Sequence, residues 1–558
     1  MIAELKEKLE SEHLAIPELL KRMSDQEFAR LAMHGFSDPE EIQNLTLMQI
    51  LGYAGNTEIG KRFNFSGIKS VDDFRRQMPI SNWADCEPFV DRIADGEPDL
   101  LFSGKAKVFI ITSGTSGLKP KMVPDSEAGS VAKNMVSRFR QFQLIRNLPG
   151  IDRNGFILPL SNISFFPPTK GGIPVAFASG NALARNTNEN PSIRIAFPTA
   201  ALMNEDSDSR DYLVARFALQ QRNVVMVVGN NAGRFKFLAD FISAHCHEII
   251  DDIEHGTLNN SLKIDSKVLE KLVPLLSPDP ERAAELRQIL DKTGTLLPKD
   301  YWQSLNVMVF WISSSVGHYV KDLKTLVPEN IKYFDAGYGA SEARINIPSK
   351  PGDPAGTLSI YTAFYEFLPE TGGQTLLAHE VEDGKTYELI VTTWSGLYRY
   401  NMKDIVKVEG FTGKTPNIVF QYKSSDILNI TDEKIPASLV HEVIRQAASD
   451  FGTDLVQVQI FADLDERRYI CYVEPQPESA PINPGLIAEK AHQRLSMVCM
   501  TYNFFSDIQK LLNPLRIVVM KQGWQNHLYE AGIKKTGSAT QVKLPVMIRE
   551  SADPDWIK

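Results

Sequence analysis

An apolar run that ends in a glycine- and hydroxyl-rich loop is the feature that most constrains the fold of this chain. Residues 108–111 read VFII, and residues 112–124 follow directly as TSGTSGLKPKMVP. A short apolar run bounded by turn residues is typical of a buried strand. The backbone N–H groups of such a loop converge readily on phosphate oxygens, and a nearby lysine adds positive charge. The segment therefore predicts a strand that opens into a phosphate-binding loop, although a solvated turn can have the same composition.

Apolar segments and helical patterns alternate after this loop. Alternating strands and helices favour an α/β fold with a substantial parallel sheet. Residues 357–408 are instead predicted to be rich in strands. The predicted helices lie at 1–100, 126–146, 211–221, 233–253 and 261–296, and the predicted strands at 108–112, 155–160, 224–228, 307–312, 358–367, 387–393 and 405–409.

The length of 558 residues exceeds what one ordinary hydrophobic core supports, so two or more domains are expected. A new pattern begins near residue 423, with helices predicted at 437–448 and 486–497 and strands at 456–461 and 469–473. We therefore predict a large domain of mixed sheets and helices over residues 1–422. A smaller α+β domain is predicted over residues 423–558.

Charge and composition exclude several classes of protein. The net charge of −9 argues against nucleic acid as a partner, because proteins that bind a phosphate backbone usually carry a basic face. The four cysteines are widely spaced, which favours reduced thiols in a cytoplasmic protein. No apolar run approaches the length of a membrane-spanning helix, and the N-terminal residues do not resemble a signal peptide. We therefore expect a soluble protein with no membrane partner.

The loop at 112–124 resembles the phosphate-binding loop of the adenylate-forming enzymes, the superfamily of acyl-CoA synthetases, luciferases and peptide-synthetase adenylation domains. The spacing of a Walker A loop is absent. Lys121 lies one residue later than the lysine of the common form, Thr-Ser-Gly-Thr-Thr-Gly-x-Pro-Lys-Gly. That spacing is similar to the loop of one branch, the auxin-responsive Gretchen Hagen acyl acid–amido synthetases.

Two later segments resemble the same family in the same order. Residues 338–342, YGASE, are similar to its Tyr-x-x-Ser-Glu motif. Residues 395–404, SGLYRYNMKD, contain a stretch similar to Gly-Leu-Tyr-Arg-Tyr-x-x-Gly-Asp, with Lys403 in place of the glycine, which predicts a slightly different turn. Weaker matches extend over nearly the whole chain, so we expect an adenylate-forming protein with a mobile C-terminal domain.

This resemblance implies ATP and Mg²⁺ as cofactors and a role for each matched residue. Tyr338 would stack on adenine, Glu342 would hold the magnesium ion and Asp404 would accept hydrogen bonds from both ribose hydroxyls. Lys423 lies at the inferred hinge, where relatives place a basic residue against the nucleotide. The implied catalytic residues are Lys121, Glu342 and Lys543. The implied nucleotide-binding residues are Ser113, Gly114, Thr115, Ser116, Tyr338, Gly339, Ala340, Ser341, Tyr398, Asp404 and Lys423.

The C-terminal segment resembles the family less closely. Residues 537–545, GSATQVKLP, are similar to Gly-Ala-x-x-Gln-Tyr-Lys-x-Pro, and Lys543 lies where a lysine of the mobile domain would enter the site. It could equally be a surface lysine. Val542 and Val546 replace the tyrosine and a following arginine of the family. If that arginine helps to hold the acceptor in relatives, the acceptor of this chain need not be the usual amino acid.

The acid is expected to bind between the helix predicted at 126–146 and the turn at 169–173. That turn contains Gly171 and Gly172. Arg138 or Arg140 could meet the substrate carboxylate, the alternative being a solvated charge on the helix. The segment His245-Cys246-His247 lies on a predicted helix, where residues i and i+2 point apart, so a metal site is not expected there.

The resemblance implies ATP-dependent adenylation of a small carboxylic acid, followed by transfer of the acyl group to an amine or amino acid. A ligase that uses coenzyme A or another acceptor is the nearest alternative. A nucleotide-binding protein without catalytic turnover is a further one. Neither a carrier-protein attachment segment nor the Gly-x-Ser-x-Gly elbow of a hydrolase is visible.

Overall fold

The chain forms two compact units, which are described separately. The large unit comprises Met1–Thr112, Pro120–Met402 and Val406–Phe420, and the small unit contains Lys403–Ile405 and Gln421–Lys558. Lys403–Ile405 thus belongs to the small unit, although it lies within the range predicted for the large domain, residues 1–422. The computed structural model describes residues 2–12, 14–111, 121–148, 150–152, 154–160, 166–178, 194–229, 232–312, 323–370, 372–424, 427–428, 430–431, 433, 435–508, 510–536, 542, 544–548 and 550–558.

The first hundred residues of the large unit are mainly helical, as predicted. The caps follow the sequence: Ser24 accepts a hydrogen bond from the backbone N–H of Glu27 and Asp38 accepts one from that of Glu41, so both donors at these helix starts are satisfied. The buried faces of these helices contribute to the largest hydrophobic core. They are α1 (Ile2–Glu12), α2 (Ile16–Arg22), α3 (Asp25–His34), α4 (Pro39–Ala54), α5 (Glu58–Arg62), α6 (Val71–Gln77) and α7 (Trp83–Ala94).

A parallel sheet forms the centre of a second layered region. Its strand order is β3-β5-β6-β7, and all of its neighbouring strands are parallel, as the alternating pattern predicted. The predicted helix at 233–253 is instead two helices, because the backbone at His245 leaves the helical conformation. The elements are β3 (Phe156–Leu160), α9 (Ser207–Gln220), β5 (Val224–Gly229), α10 (Ala232–Ala244), α11 (Cys246–His255), α12 (Ser266–Leu272), α13 (Pro280–Thr293), α14 (Pro298–Tyr301), β6 (Val307–Phe310) and β7 (Lys332–Asp335).

Two further sheets complete the large unit. A three-stranded sheet has the order β2-β1-β4, and a seven-stranded sheet has the order β11-β10-β12-β13-β14-β9-β8. The prediction of one strand over residues 358–367 is wrong, because this range contains parts of two strands with a turn between them. The elements are β1 (Val108–Ile111), β2 (Met122–Asp125), α8 (Glu127–Asn147), β4 (Val175–Phe177), β8 (Asn346–Pro348), β9 (Gly356–Leu358), β10 (Phe364–Pro369), β11 (Leu376–Leu377), β12 (Thr386–Thr392), β13 (Tyr400–Thr412) and β14 (Thr415–Lys423).

The small unit is an α+β structure with its own apolar core. Its main sheet has the order β19-β18-β17-β20, in which β17 and β18 form an antiparallel pair. Its predicted helices and strands are confirmed within a few residues at each end. The elements are β15 (Ile427–Leu428), β16 (Ile435–Pro436), α15 (Ala437–Ser449), β17 (Leu455–Asp463), β18 (Arg468–Pro475), α16 (Pro484–Val498), α17 (Met500–Asn503), β19 (Arg516–Val519), α18 (Trp524–Thr536) and β20 (Met547–Ile548).

No helix in the described part of the chain is both long enough and apolar enough to cross a membrane.

A buried ion cluster ties α6 to β10 and to the residue before β13. Both oxygens of Glu366, which is 1% exposed, accept hydrogen bonds from Arg399 at 2.9 Å, and Oε1 also accepts one from Nε of Arg75 at 3.1 Å. Arg399 also donates to the backbone oxygens of Arg75 and Met78. The single carboxylate is therefore the common acceptor for two arginines that are distant in sequence.

Replacing this carboxylate should destabilise the large unit. Glu366→Ala leaves two buried guanidinium groups without their acceptor, and breaking such a buried pair typically costs about 3–5 kcal/mol of unfolding free energy. The measurement is urea unfolding followed by tryptophan fluorescence. Glu97→Ala is the matched control, because Glu97 and Arg92 form an exposed ion pair. Equal unfolding midpoints for the two variants would contradict this account.

Candidate active site

The predicted phosphate loop lies largely outside the described residues. Ser113, Gly114, Thr115 and Ser116 fall there, as does Lys543, so their roles stay predictions. The strands on either side of the loop are described. β1 and β2 pair in antiparallel fashion from Val108 with Asp125 to Ile111 with Met122. This pairing holds the two ends of the loop side by side.

Lys121 is held between two aromatic side chains. Its ammonium group donates a hydrogen bond to the hydroxyl of Tyr400 at 3.1 Å and lies 5.4 Å from the ring centre of Trp83. Aromatic faces attract cations electrostatically, so both rings stabilise this position of the charge. Neither ring was predicted as a site residue, although Tyr400 belongs to the third motif that resembles the family, residues 395–404.

The turn that carries Tyr338 is fixed by two neighbouring polar side chains. Its N–H donates to Oδ1 of Asn346 at 2.7 Å, and its carbonyl accepts from Nη2 of Arg140 at 2.9 Å. Arg140 packs so closely that a side chain at Gly337, where φ is +85°, would collide with its guanidinium group. Burial, followed by the charge of Arg344, lowers the pKa of Arg140 to about 9. Arg140 therefore shapes this turn, and its observed contacts give no support to its predicted role with the substrate carboxylate.

The ring of Tyr338 packs on another aromatic residue in this structure. It is 3% exposed, and its centre lies 5.3 Å from that of Phe420 in β14. Phe420 in turn packs on Trp311 at 5.6 Å, and both of these rings are partly exposed. The predicted adenine-stacking residue is thus one member of an aromatic cluster. Sequence reasoning missed the other two members, which lie 27 and 82 positions away along the chain.

Glu342 is the buried carboxylate of this turn. It is 9% exposed, and no residue in the described part of the chain gives it a hydrogen bond or an ion pair. It lines a cavity of about 20 Å³ together with Lys133 and Trp394. The same cavity is lined by two cationic side chains, Lys133 and Arg344, and carboxylate oxygens are the ligand type that a hard cation such as Mg²⁺ prefers. The residue therefore fits the predicted magnesium ligand. No cluster of three or more metal-ligating side chains occurs among the described residues.

The other predicted residues of the turn contribute through their backbone. Ala340 donates a hydrogen bond from its N–H to the carbonyl of Ala343 at 2.8 Å, and Gly339 forms an isolated bridge with Arg344. The carbonyl of Ser341 accepts a hydrogen bond from Nζ of Lys133 at 2.9 Å. These contacts close the turn and place Glu342 beside the cavity.

The third motif contains both a core residue and a residue that faces Lys121. Tyr398 is 3% exposed, donates to the carbonyl of Leu101 at 2.6 Å and packs on Phe65 at 4.9 Å. Burial raises the pKa of its hydroxyl. These contacts place Tyr398 in the protein core, and its predicted role at the nucleotide stays a prediction. Tyr400, two residues later, is the tyrosine of this motif that contacts Lys121.

Asp404 and Lys423 both belong to the small unit. Nζ of Lys423 lies 2.5 Å from Oδ1 of Asp404, whose side chain is 3% exposed, whereas that of Lys423 is 38% exposed. Lys403 just before them has a φ of +58°, the left-handed conformation that glycine favours. The turn therefore has a glycine-like backbone despite the substitution. The structure pairs the predicted ribose acceptor with the predicted hinge lysine.

The side chain of Arg138 holds the N-terminal helices onto α8. Its guanidinium group donates to the backbone oxygens of Leu20 at 2.8 Å and Met23 at 3.1 Å, and it lies 4.1 Å from the ring centre of Phe28. It also pairs with Asp25 at 3.1 Å. Arg138 is therefore not a solvated charge on the helix. Its observed contacts do not support the predicted role of binding the acid.

The turn at 169–173 packs against the end of α7. Gly171 donates from its N–H to the carbonyl of Ala94 at 2.8 Å, and a Cβ at Gly171 would meet the backbone of Gly96. Both Gly171 and Gly172 are exposed. These contacts do not support the predicted acid pocket between this turn and the helix at 126–146. The cavity that borders α8 is lined instead by Glu342 and by residues 393–395.

The two departures from the family in the C-terminal segment are packing residues of the small unit. Val542 is 4% exposed and its methyl groups lie against Gly532 in α18. Val546 packs against the apolar core, and its carbonyl accepts a hydrogen bond from the N–H of Ile460 at 2.7 Å. Apolar side chains at these positions therefore have a structural explanation.

The architecture defines the class of protein. Similarity to a solved 2-hydroxyisobutyryl-CoA ligase, crystallised in a post-adenylation state, has a TM-score of 0.50 at 13% identity and covers 95% of this chain and 90% of that one. Similarity to the solved GH3.15 acyl acid amido synthetase has a TM-score of 0.82 at 22% identity and covers 95% of both chains. The predicted α/β fold of the adenylate-forming enzymes is therefore confirmed.

The chain belongs to the GH3 family. The family's N-terminal domain matches residues 33–331 and its central domain matches residues 356–423. The chain is 26% identical over 549 residues to a probable indole-3-acetic acid-amido synthetase of Oryza sativa subsp. japonica, covering 92% of this chain and 88% of that protein. It is 24% identical over 538 residues to an indole-3-acetic acid-amido synthetase of Arabidopsis thaliana, covering 90% and 88%. The predicted resemblance to the Gretchen Hagen synthetases is thus confirmed.

Removing the side-chain amide of Asn346 should loosen the Tyr338 turn. Asn346→Ala leaves the N–H of Tyr338 and the carbonyl of Ile418 without their partner, and each such buried group typically costs about 1–3 kcal/mol. Thermal unfolding and amide hydrogen exchange across residues 337–346 are the measurements. The exposed Asn260→Ala is the control and should change stability by less than about 0.5 kcal/mol. Unchanged exchange in this segment would show that Asn346 does not hold the turn.

Proposed function

We propose that this chain joins a carboxylic acid to an amine or amino acid at the expense of ATP. The observation that carries the proposal is the family match, since similarity to proteins named acid-amido synthetases extends over about nine-tenths of the chain. The retention of Lys121, Glu342 and Asp404 supports catalysis over simple nucleotide binding.

The first half-reaction forms an acyl-adenylate. A carboxylate oxygen of the acid attacks the α-phosphorus of ATP, the bond to the β-phosphate oxygen breaks and pyrophosphate leaves. Negative charge is concentrated on the phosphates during this step, so positioning and electrostatic stabilisation are the main contributions required of the protein. Lys121 supplies a positive charge next to the phosphate loop, and the neighbouring rings restrict where that charge can lie.

Glu342 is the residue proposed to hold a magnesium ion. Its carboxylate oxygens are of the ligand type that Mg²⁺ prefers, and the side chain lines a small cavity. When bound, magnesium would neutralise charge on the phosphate oxygens of ATP. Lys133 donates a hydrogen bond to the carbonyl of Ser341, the residue before Glu342.

Asp404 is proposed to bind the ribose. A carboxylate can accept hydrogen bonds from two hydroxyl groups at once, and the ion pair with Lys423 fixes the position of the Asp404 side chain. Lys423 would then lie beside the nucleotide. In the second half-reaction the amine nitrogen attacks the acyl carbon, AMP leaves and the nitrogen loses a proton.

The acceptor is the least determined part of this reaction. Val546 packs against the core of the small unit where the family motif has an arginine, so this position supplies no cation for the carboxylate of an amino acid. Coenzyme A or an amine without a carboxylate is therefore the second candidate acceptor.

Pyrophosphate release that depends on an added acid tests the adenylation step. We expect at least one member of a panel of small carboxylic acids to stimulate release from ATP in the presence of Mg²⁺. Mass spectrometry of the products, with mixed amino acids in one reaction and coenzyme A in another, identifies the acceptor. Tight ATP binding without release for any acid would favour the non-catalytic alternative.

Replacing Asp404 tests the nucleotide assignment. Asp404→Asn removes a charged acceptor, and hydrogen bonds to charged groups contribute about 1.5–3 kcal/mol, which corresponds to a rise of roughly 10- to 150-fold in the Kd for ATP. Isothermal titration measures this change. Glu409→Gln is the control, because Glu409 forms an exposed ion pair with Lys407 on the same strand. Equal Kd values for the two variants would remove Asp404 from the site.

A further inference from the structure

A buried polar network connects the end of β2 to the turn that carries Glu342. Its centre is Asp125, whose side chain is fully buried. Oδ1 of Asp125 accepts a hydrogen bond from the hydroxyl of Ser395 at 2.6 Å, and Oδ2 accepts one from the hydroxyl of Ser130 at 2.9 Å. Both carboxylate oxygens are therefore used within the large unit.

Lys133 supplies the positive charge of this network. Its Nζ lies 3.3 Å from Oδ1 of Asp125, and its side chain is only 15% exposed. A buried carboxylate is strongly unfavourable unless a cation and hydrogen-bond donors compensate it. The ion pair therefore compensates the charge of Asp125 and also holds the ammonium group of Lys133 in place.

The same ammonium group reaches the motif that contains Glu342. Nζ of Lys133 donates a hydrogen bond to the carbonyl of Ser341 at 2.9 Å. That carbonyl belongs to the planar peptide unit that joins Ser341 to Glu342, so its orientation sets the position of the Glu342 backbone. Lys133 and Glu342 also line the same cavity.

The N-terminal turn of α8 is shaped around this network. The hydroxyl of Ser126 donates to the carbonyl of Trp394 at 2.8 Å, and the backbone N–H of Ser126 donates to the hydroxyl of Ser395 at 3.3 Å. A Cβ at Gly129 would lie 1.8 Å from the hydroxyl oxygen of Ser395 and 2.8 Å from Oδ1 of Asp125. Only glycine leaves room there for the contact between Ser395 and Asp125.

We propose that Lys133, held by Asp125, is a positioning residue that sets the Glu342 carboxylate for magnesium and the phosphates of ATP. The proposal rests on the proposed function. Lys133 does not touch the nucleotide in this scheme, because both of its contacts are protein oxygens. It acts through the peptide unit between Ser341 and Glu342. A purely structural ion pair would make the same contacts, so the test must separate stability from positioning.

Four variants make this separation. Lys133→Met removes both contacts and leaves Asp125 buried without a cation. Asp125→Asn/Lys133→Met replaces that unpaired charge with a neutral amide, so it should recover most of the thermal stability without restoring the bond to Ser341. Lys133→Arg retains a charged donor. Lys107→Met is the matched control, because Lys107 forms an exposed ion pair with Glu127 at the start of the same helix.

The readouts are the Mg²⁺ concentration for half-maximal pyrophosphate release, kcat and amide hydrogen exchange over residues 338–346. For both variants with methionine at 133, we expect a rise of at least 10-fold in the Mg²⁺ requirement and a fall of up to about 100-fold in kcat. Exchange in the segment should be faster in both. Lys133→Arg should recover at least part of each change, and the control should match the parent protein.

The double variant could return to the parent values of Mg²⁺ requirement and hydrogen exchange as its thermal stability recovers. That result would overturn the proposal, because the Asp125–Lys133 pair would then be only structural. If the parent protein releases no pyrophosphate with any acid, the proposed function fails. Exchange over residues 338–346 still decides the positioning claim in that case. Exchange equal to that of the parent in both methionine variants would overturn it.

Discussion

The arrangement of the third motif, residues 395–404, depends on the ion cluster around the carboxylate of Glu366. Glu366 lies in β10 and accepts hydrogen bonds from Arg75 in α6 and from Arg399, the residue before β13. Buried charges are stable only when their hydrogen-bonding geometry is complete, so the cluster permits little displacement of either arginine. Arg399 has a φ of +44°, a conformation that costs free energy for a residue with a side chain. The ion cluster offsets this strain, and the next residue, Tyr400, accepts a hydrogen bond from Lys121.

Most regular elements of the fold could be predicted because their signals are local. The apolar periodicity of α8 and the buried strands of the parallel sheet lie within single stretches of chain. The break at His245 could not be predicted, because neither proline nor glycine marks it. The two strands within 358–367 were merged for a related reason. Residues in and between them are almost all buried, so the apolar pattern did not register the turn.

The candidate site was predicted through motif resemblance, and its supporting residues were not. Glu342 and Asp404 were identified because each belongs to a recognisable string of residues. Lys133 and Asp125 belong to no such motif. Asp125 accepts a hydrogen bond from Ser395, which lies 270 positions away in the sequence. Contacts of that range arise only from the assembled fold. Tyr398 shows the opposite limitation, since its motif was recognised but only the structure reveals that its ring is buried against Phe65.

The C-terminal segment shows why motif resemblance does not transfer every role. Val546 precedes β20, its carbonyl accepts a hydrogen bond from the N–H of Ile460 in β17, and its partly buried side chain packs against the core of the small unit. The surrounding residues of this chain supply apolar contacts at that position. The valine is therefore part of the small unit's packing, and its side chain carries no charge with which to hold an acceptor carboxylate.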